Sequence, residues 1–474
     1  MAGLYHSLNV GADALMATRQ GVDTAGHNIA NAHTEGFSRQ RIELTQREPS
    51  QSRGVLIGNG VFVKNITRAH DRFLEKHLNT AHQDTGYSNT FADQMTAVEA
   101  VYSPELNASV ADEMTAFFSS LQDMSGMPED LSVRTAVKER AQSLIQSFKR
   151  VDESLRTQQY DLNEKIHGEV EEVNGLLRDI ARLNININVL EGGEQRMAND
   201  LRDQQDRLIR QLSDKMEVHY YRGDLGQVVL RGPDEALLVE RGNTSQLGTV
   251  VDSDNGNFYD IVFTNVEGGM TRSLARLNQG GSLRALVEVR DDVVQGLLEK
   301  NNHHARSFMD HFNHIHRKGY GINAFKEVTG RDFFTTTGDF SQTVQGMKIS
   351  DVIAGSTDAI GAAATPGAPG DNVVLNELIR LQGKKLLSDN NATFTDYYAN
   401  YVGVFGLEVL RAQHSREADQ ILLADLQSRK ESISGVSLDE EAMNLLRWQA
   451  NFTASSRVIS VVDEMLETVL GLKR

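Results

Sequence analysis

Leu4-Tyr-His-Ser-Leu8-Asn-Val-Gly11-Ala-Asp-Ala-Leu15-Met-Ala-Thr18-Arg-Gln-Gly-Val22-Asp-Thr-Ala25-Gly-His-Asn-Ile29 is the stretch on which the fold turns. Leu4, Leu8, Gly11, Leu15, Thr18, Val22, Ala25 and Ile29 recur in alternating steps of four and three, which puts them on one stripe of a helix. Within that stripe Leu8, Leu15, Val22 and Ile29 form a strict heptad. A helix of this length measures about 40 Å.

The C-terminus carries the same alternation in Leu445, Trp448, Phe452, Ser455, Ile459, Val462, Leu466 and Val469. Ser437-Leu-Asp-Glu-Glu reads as its start: an N-cap serine, then acids that suit the positive end of the helix dipole. Ser437 and Glu440 have the separation of a capping box. A single amphipathic helix ordinarily packs within its own domain. Two terminal stripes each need a partner, and each is the natural partner of the other. Each large side chain buried contributes about 1.5–3 kcal/mol. Against this stands about 1–2 kcal/mol of backbone entropy per ordered residue. An isolated pair is therefore marginal, and full order is expected when neighbouring copies add contacts.

A third stripe is internal: Ile166, Glu169, Val173, Leu176, Ile180, Leu183, Ile187 and Leu190, with one polar break at Glu169. A turn at Gly192-Gly193 ends it, and a second helix resumes through Leu201, Leu208 and Leu212, so a long helical hairpin is expected. From about Glu217 to Leu274 the periodicity changes to short β-type runs separated by Gly, Asn and Asp. Helix returns at Ser282 and continues to Ile315, and Gly361 to Gly370 reads as an exposed low-complexity loop. The expected class is α+β, mainly α, in a nested arrangement. Residues 1–35 with 438–474 would form a terminal coiled-coil domain, 36–215 with 282–437 a helical body, and 216–281 an inserted β-rich outer domain.

With 474 residues there is room for about two to four domains. The formal net charge of −17 argues against nucleic acid as the main partner and suits a protein kept soluble and monomeric before use. There is no cysteine, hence no disulfide, thiolate nucleophile or Cys-type zinc site. No run of apolar residues is long enough to span a membrane. The opening Met1-Ala-Gly-Leu-Tyr-His lacks the basic region and apolar run of a cleaved secretory signal. Six prolines occur, none before Pro49 or after Pro369, which leaves both ends free to be long helices.

The densest candidate for chemistry is His303, His304, His311, His314 and His316. His311 and His314 lie one turn apart, a spacing that binds metals, but no acidic residue completes a His-Glu-x-x-His pattern. Partly exposed helix histidines are the expectation. Asp252-Ser-Asp-Asn-Gly-Asn resembles the start of a calcium loop, but the twelfth position is Phe263 where a bidentate Glu is required, so a hairpin turn is expected. Phosphate loop, nucleophile elbow and dinucleotide fingerprint are all missing. No catalytic residue, metal ligand or cofactor is therefore assigned. A metal-dependent enzyme built on the His303–His316 cluster, or a hydrolase in the β region, is the reading from another class.

Gly26-His-Asn-Ile-Ala-Asn-Ala-His-Thr-Glu-Gly-Phe-Ser-Arg-Gln resembles the N-terminal signature of the bacterial flagellar rod, hook and hook-associated family. Asn28 and Asn31 suit the end of the first helix, and Gly36 suits a tight exit from it. Phe37-Ser-Arg39-Gln40 is similar to the hook-associated branch. So are Gly58-Asn-Gly-Val-Phe-Val, Ala198-Asn199-Asp200-Leu201-Arg-Asp-Gln-Gln-Asp-Arg-Leu and Ser434-Gly-Val-Ser-Leu-Asp-Glu-Glu-Ala-Met-Asn-Leu. Arg202 and Gln205 depart from it, where the family more often has Leu and Arg. The resemblance implies a structural, self-assembling subunit of the hook–filament junction. A hook or distal rod subunit is the alternative within the family, although these generally lack the internal hairpin. It further implies an extracellular position in the flagellum, reached from the cytoplasm through the flagellar type III export apparatus. The implied partners are copies of itself in a ring, hook protein, the third hook-associated protein and a cytoplasmic export chaperone. Leu4, Leu8, Leu15, Val22 and Ile29 with Leu445, Trp448, Phe452, Ile459, Val462, Leu466 and Val469 would be the assembly core.

Overall fold

A computed structural model describes residues 2–52, 55–103, 108–192, 197–223, 226–264, 271–273, 279–337 and 339–471. Helix α1 (Ala2–Ala30) leads into a β ribbon. In the ribbon β1 (Gln40–Gln46) pairs antiparallel with β4 (Val61–Arg68), and β2 (Ser50–Ser52) pairs with β3 (Val55–Ile57). The ribbon lies along α1, held by Arg47 to Asp13 at 2.9 Å and by a His6–Gly58 carbonyl contact of 3.2 Å.

The body follows: α2 (Arg72–Glu99), α3 (Val110–Gly126), α4 (Leu131–Glu191) and α5 (Asn199–Lys215). Asp71 caps α2 and Asp130 caps α4, each carboxylate accepting backbone N–H groups of the first turn. Ser109 and Asp112 close a full capping box on α3. Helix α4 has 61 residues, about 90 Å, and no proline falls between Pro128 and Pro233 to interrupt it. It begins 35 residues before the stripe at Ile166 signals it, because Val137, Ala141, Leu144, Phe148, Val151 and Leu155 already follow the helical period. Of the expected Gly192-Gly193 turn, Gly193 lies outside the described residues.

Two antiparallel sheets come next. One has the order β5 (His219–Arg222), β6 (Val228–Arg231), β7 (Leu237–Glu240), β8 (Asn243–Thr244). The other has β9 (Gln246–Asp252) and β11 (Thr271–Ser273) flanking β10 (Phe258–Thr264). The Asp252–Asn257 segment is the β9–β10 turn, with Gly256 and Asn257 at positive φ. Both sheets lie on α4, and Val228, Leu230, Leu238, Leu247 and Ile261 belong to the same hydrophobic cluster as the helices.

Three buried asparagines of α4 dock these strands. Asn174 donates to the Leu247 carbonyl at 2.8 Å and accepts from its N–H at 3.0 Å; Asn184 does the same for Val228 at 2.7 and 2.9 Å. Asn163 accepts from the Tyr259 N–H at 2.8 Å. Each side-chain amide thus satisfies strand groups that would otherwise be buried unpaired.

Helix α6 (Gly281–Glu288) passes through a π-helical stretch, Val289–Val294, into α7 (Gln295–His316). In that stretch the fully buried Arg290 donates to Asn163, to the Tyr259 carbonyl and to Asp291. Strands β12 (Phe334–Thr335) and β13 (Lys348–Ile349) and helices α8 (Thr343–Gly346), α9 (Asp351–Gly355) and α10 (Val373–Arg380) cap this end. Phe117, Phe308, Phe312, Phe333, Phe334 and Phe394 close its core. The chain ends in α11 (Phe394–Ser434), antiparallel to α2, and α12 (Leu438–Gly471).

Two expectations change. The Gly361–Gly370 segment is exposed only from Ala364 onward; Gly361, Ala362 and Ala363 are buried, because Gly319 and Gly361 pack backbone to backbone and Tyr320 bridges Ala363. His304 and His316 are core residues, not partly exposed ones. The Gly361 N–H donates to His316 Nε2 at 2.9 Å while His316 Nδ1 lies 2.8 Å from the Arg331 carbonyl, which fixes a neutral ring. His303 and His314 point outward, so the five do not converge, and no group of three metal-ligating side chains occurs among the described residues.

Candidate assembly interface and its joint

Helices α1 and α12 run antiparallel, with Gly11 opposite Ile459, Gly21 opposite Trp448 and Asn28 bonded to Glu441. The tightest contacts fall on small residues. Gly11, Ala17, Thr18, Gly21, Thr24 and Ala25 are buried, and a Cβ on Gly21 would lie 2.4 Å from the indole of Trp448. Leu4, Leu8, Leu15, Val22 and Ile29 are only half-buried, because they flank the line of contact. On α12 Val462 is buried, while Leu445, Trp448, Ile459 and Leu466 are half-buried. Phe452 and Val469 are exposed at 43% and 39%, at the rim of the pair. The small residues matter because they let the two backbones approach where Trp448 must fit.

Sequence periodicity also carries a second stripe on α12. Met443, Ala450, Ala454, Val458, Val461 and Met465 repeat in steps of seven, four and three on the opposite face of α12, and all are exposed. With Leu446 they give α12 a second apolar seam that no described residue covers.

The signature residues build the joint between this helix pair and the body. Asn28 is 1% exposed; it donates to the Gln40 carbonyl at 2.9 Å and to Glu441 at 3.2 Å, and accepts from the Gln40 N–H at 2.9 Å. Asn31 turns back to the His27 carbonyl at 3.0 Å, which caps the end of α1. Gly36 sits at φ +79°, and Phe37 stacks edge-on against His27. Arg39 grips Glu441 and Glu440 at 2.6 Å each, and its N–H donates to the Ser434 carbonyl. Glu440 therefore serves Arg39, and the expected capping box is reduced to a 3.4 Å bond from the Glu440 N–H to Ser437. Gln40 donates to Asp200 at 2.7 Å, and Asn199 donates to the Ile66 carbonyl at 2.8 Å. Leu201 is half-buried beside them. The two segments of the signature, 160 residues apart, thus meet in one place.

Behind them lies a buried ionic network that periodicity does not reveal. Arg68 bridges Asp203 at 2.6 Å and Asp206 at 2.8 Å, and Asp203 also accepts from the Ser38 N–H. Burial pushes Asp206 toward protonation, but Arg68 and Arg222 outweigh it and hold its carboxyl below the usual range. For Asp203 burial wins and its carboxyl is raised. Burial alone lowers Arg39, yet its hydrogen bonds to Glu440 and Glu441 leave it raised. Arg202 and Gln205, the two departures from the family pattern, have partners of their own: Arg202 pairs with Glu191 at 2.5 Å, and Gln205 donates to Asn184 at 3.0 Å.

An antiparallel pair of terminal helices, an exposed second seam and a clamped joint define a self-assembling axial subunit. The family described as Flagellar hook-associated protein FlgK helical domain matches residues 95–334, and the chain belongs to that family. The terminal segments match further flagellar families, Flagella basal body rod protein over 8–37 and Flagellar basal body rod FlgEFG protein C-terminal over 428–472. Flagellar hook-associated protein 1 of Bacillus subtilis is 28% identical, covering 99% of both chains. Flagellar hook-associated protein 1 of Salmonella typhimurium is 24% identical over 98% of this chain and 99% of that one. Among solved structures, the flagellar hook junction protein FlgK from Burkholderia pseudomallei superposes with a TM-score of 0.67. That match is 15% identical and covers 76% of this chain and 100% of that one, a likeness of fold. No described helix is long and apolar enough to cross a membrane.

Proposed function

We propose that this chain is a structural subunit of the hook–filament junction, closing with its own copies into a ring on which the filament grows. The second seam of α12 carries the reading. One face of α12 is used by α1, and the other offers Met443, Leu446, Val458, Val461 and Met465 to solvent. A continuous exposed apolar stripe on a terminal helix calls for a partner, and a neighbouring helix pair with the same period fits it. In this reading the α1 and α12 seam residues form the inner core of the ring, residues 36–215 with 282–437 the body, and 216–281 its β-rich part. Hook protein lies on one side of the ring and the third hook-associated protein on the other. The chain travels through the flagellar type III apparatus, with a cytoplasmic chaperone covering α12 before export. The role is mechanical and needs no catalysis.

Deletion of the gene, followed by electron microscopy of hooks and an assay for flagellin in the medium, tests it. Complete hooks without filaments, with flagellin lost to the medium, are expected. Missing hooks would move the protein to the hook or rod. Normal filaments in the absence of a paralogue would refute the assignment. Complementation with Val461→Asp, which places a charge on the second seam, is expected to leave hooks bare although the body folds.

A further inference from the structure

Although the chain is strongly acidic, one cleft of about 390 Å³ is lined by cations and by no carboxylate among the described residues. It opens between the start of α2 and strand β5, and its walls include Arg72, Lys76, His219, Tyr221 and Arg222. Arg222 is incompletely neutralised: it reaches Asp206 only at 3.5 Å, and Asp206 is already bound to Arg68 at 2.8 Å. One nitrogen of its guanidinium is buried without a hydrogen-bond partner among the described residues, a donor left for an incoming oxyanion. Beside Arg72, the Phe73 ring is 82% exposed. Clustered cations with unmet hydrogen-bonding capacity form a receptor for carboxylate or another oxyanion.

Copies of a chain with net charge −17 repel one another in general, so complementary charge must be local wherever they touch. The fold supplies an acidic counterpart at the same level. The backbone of Arg39 bonds Ser434 on one side and Ala69 on the other, which holds the start of α2 and the start of α12 in one layer. The cleft opens away from α11, the helix that runs into α12. Along α2, Thr85, Asn89, Asp93 and Thr96 meet α11, whereas Arg72, Lys76 and Gln83 are turned away by about 120° around the helix axis. In a ring built head to tail, one flank of a subunit meets the other flank of the next. On the α12 flank Glu440 is engaged by Arg39, which leaves the exposed Asp439 free, next to the exposed Leu438.

We propose that the cleft receives the first turn of α12 from a neighbouring copy, with Asp439 between Arg72 and Lys76 and Leu438 against Phe73. This rests on the ring reading above and names the contact that sets the register between subunits.

The test is charge reversal and swap in full-length protein, scored by the fraction of hooks carrying the subunit and by circular dichroism of each purified variant. Arg72→Glu with Lys76→Glu is expected to reduce incorporation by about tenfold or more without lowering the melting midpoint, since tenfold corresponds to ~1.4 kcal/mol, within reach of close charge pairs. Asp439→Lys is expected to do the same, and combining all three to restore incorporation to within about threefold. Normal incorporation of the double variant, or losses that the combination does not repair, would overturn the contact. So would a midpoint raised by millimolar inorganic phosphate in wild type but not in the double variant, if that variant still incorporates normally. The cleft would then be a free-oxyanion site. Val461→Asp separates the two readings: its exclusion alongside normal incorporation of the cleft variants would sink only the cleft, whereas normal incorporation of Val461→Asp would sink the ring reading itself.

Discussion

Asn28→Asp exchanges one NH2 for one oxygen at the centre of the joint. The wild-type side chain makes three bonds, donating to the Gln40 carbonyl and to Glu441 and accepting from the Gln40 N–H. Aspartate keeps only the last. The neutral donated bond is worth ~1 kcal/mol and the one to the carboxylate ~1.5–3 kcal/mol. In addition, two like charges face each other where 3.2 Å now separates donor from acceptor, a repulsion that Arg39, at 2.6 Å from Glu441, partly offsets. A local loss of about 3–5 kcal/mol follows. It acts on the union of α1 and α12, not on the body, so hydrogen exchange is the assay. Amides around residues 20–31 and 438–446 are expected to exchange more than a hundredfold faster at neutral pH, at about 1.4 kcal/mol per tenfold, while those of α4 keep their protection. The new carboxyl, buried beside Glu441, has its folded-state pKa raised above the unfolded value. Stability linked to its protonated form is therefore present at low pH and lost as pH rises through the folded pKa. The exchange defect should accordingly shrink on acidification. Asn28→Ala, which removes all three bonds and adds no titrating group, should show a defect without that pH dependence. Exchange of both windows within about threefold of wild type at neutral pH would refute the clamp.

Gly21→Val would drive its side chain into Trp448, the single tryptophan, at a cost of roughly 1–3 kcal/mol or more; a red-shifted emission marks the separation, and unchanged fluorescence would refute the close approach. Arg68→Ala leaves Asp203 with only the Ser38 N–H and Asp206 with only the longer Arg222 contact, and should cost about 3–5 kcal/mol by denaturant unfolding, more at pH 7 than at pH 3. The Asp206 part has a depressed folded pKa, so its stability is present above the unfolded value and disappears as pH falls through the folded one. His304 and His316 are pushed down to about 3 and about 4 by burial. The unfolded chain therefore takes up their protons first, and stability should fall below about pH 6.5 by up to ~1.4 kcal/mol per pH unit for each. His304→Phe, placed among Phe148, Phe394 and Tyr398, should flatten that slope in urea melts taken from pH 7 to 5; an unaltered slope would show that His304 does not drive it.

Much of the architecture was legible because it is written in local period. The 4-3 stripes at residues 4–29 and 445–469 predict two helices that need each other, and the structure pairs them. What period could not supply was which face of the stripe makes contact. Leucine weighs heavily in a hydrophobic pattern, yet Gly11 and Gly21 define the contact line, because a large indole fits only where the opposite helix has no side chain. The second stripe of α12 has the same period, but it is built partly from alanine, which weighs little in a hydrophobic pattern. The five histidines illustrate the opposite case: spacing along a helix says which could share a face, whereas burial of His304 and His316 depends on what the rest of the chain lays over them.

By itself, the sequence determined the class of fold, the helical termini, the change to β structure after Glu217 and the signature that marks the joint. Each of these rests on neighbours in the chain, where periodicity, turn residues and caps act. Only the tertiary structure decided what the signature residues do. Asn28 meets Glu441 across 413 residues, Gln40 meets Asp200 across 160, and Arg68 finds Asp203 and Asp206 in the interior. A polar residue in a sequence carries no mark of its partner. It acquires one when folding removes water and leaves its donors and acceptors to be satisfied by whatever the chain brings beside them.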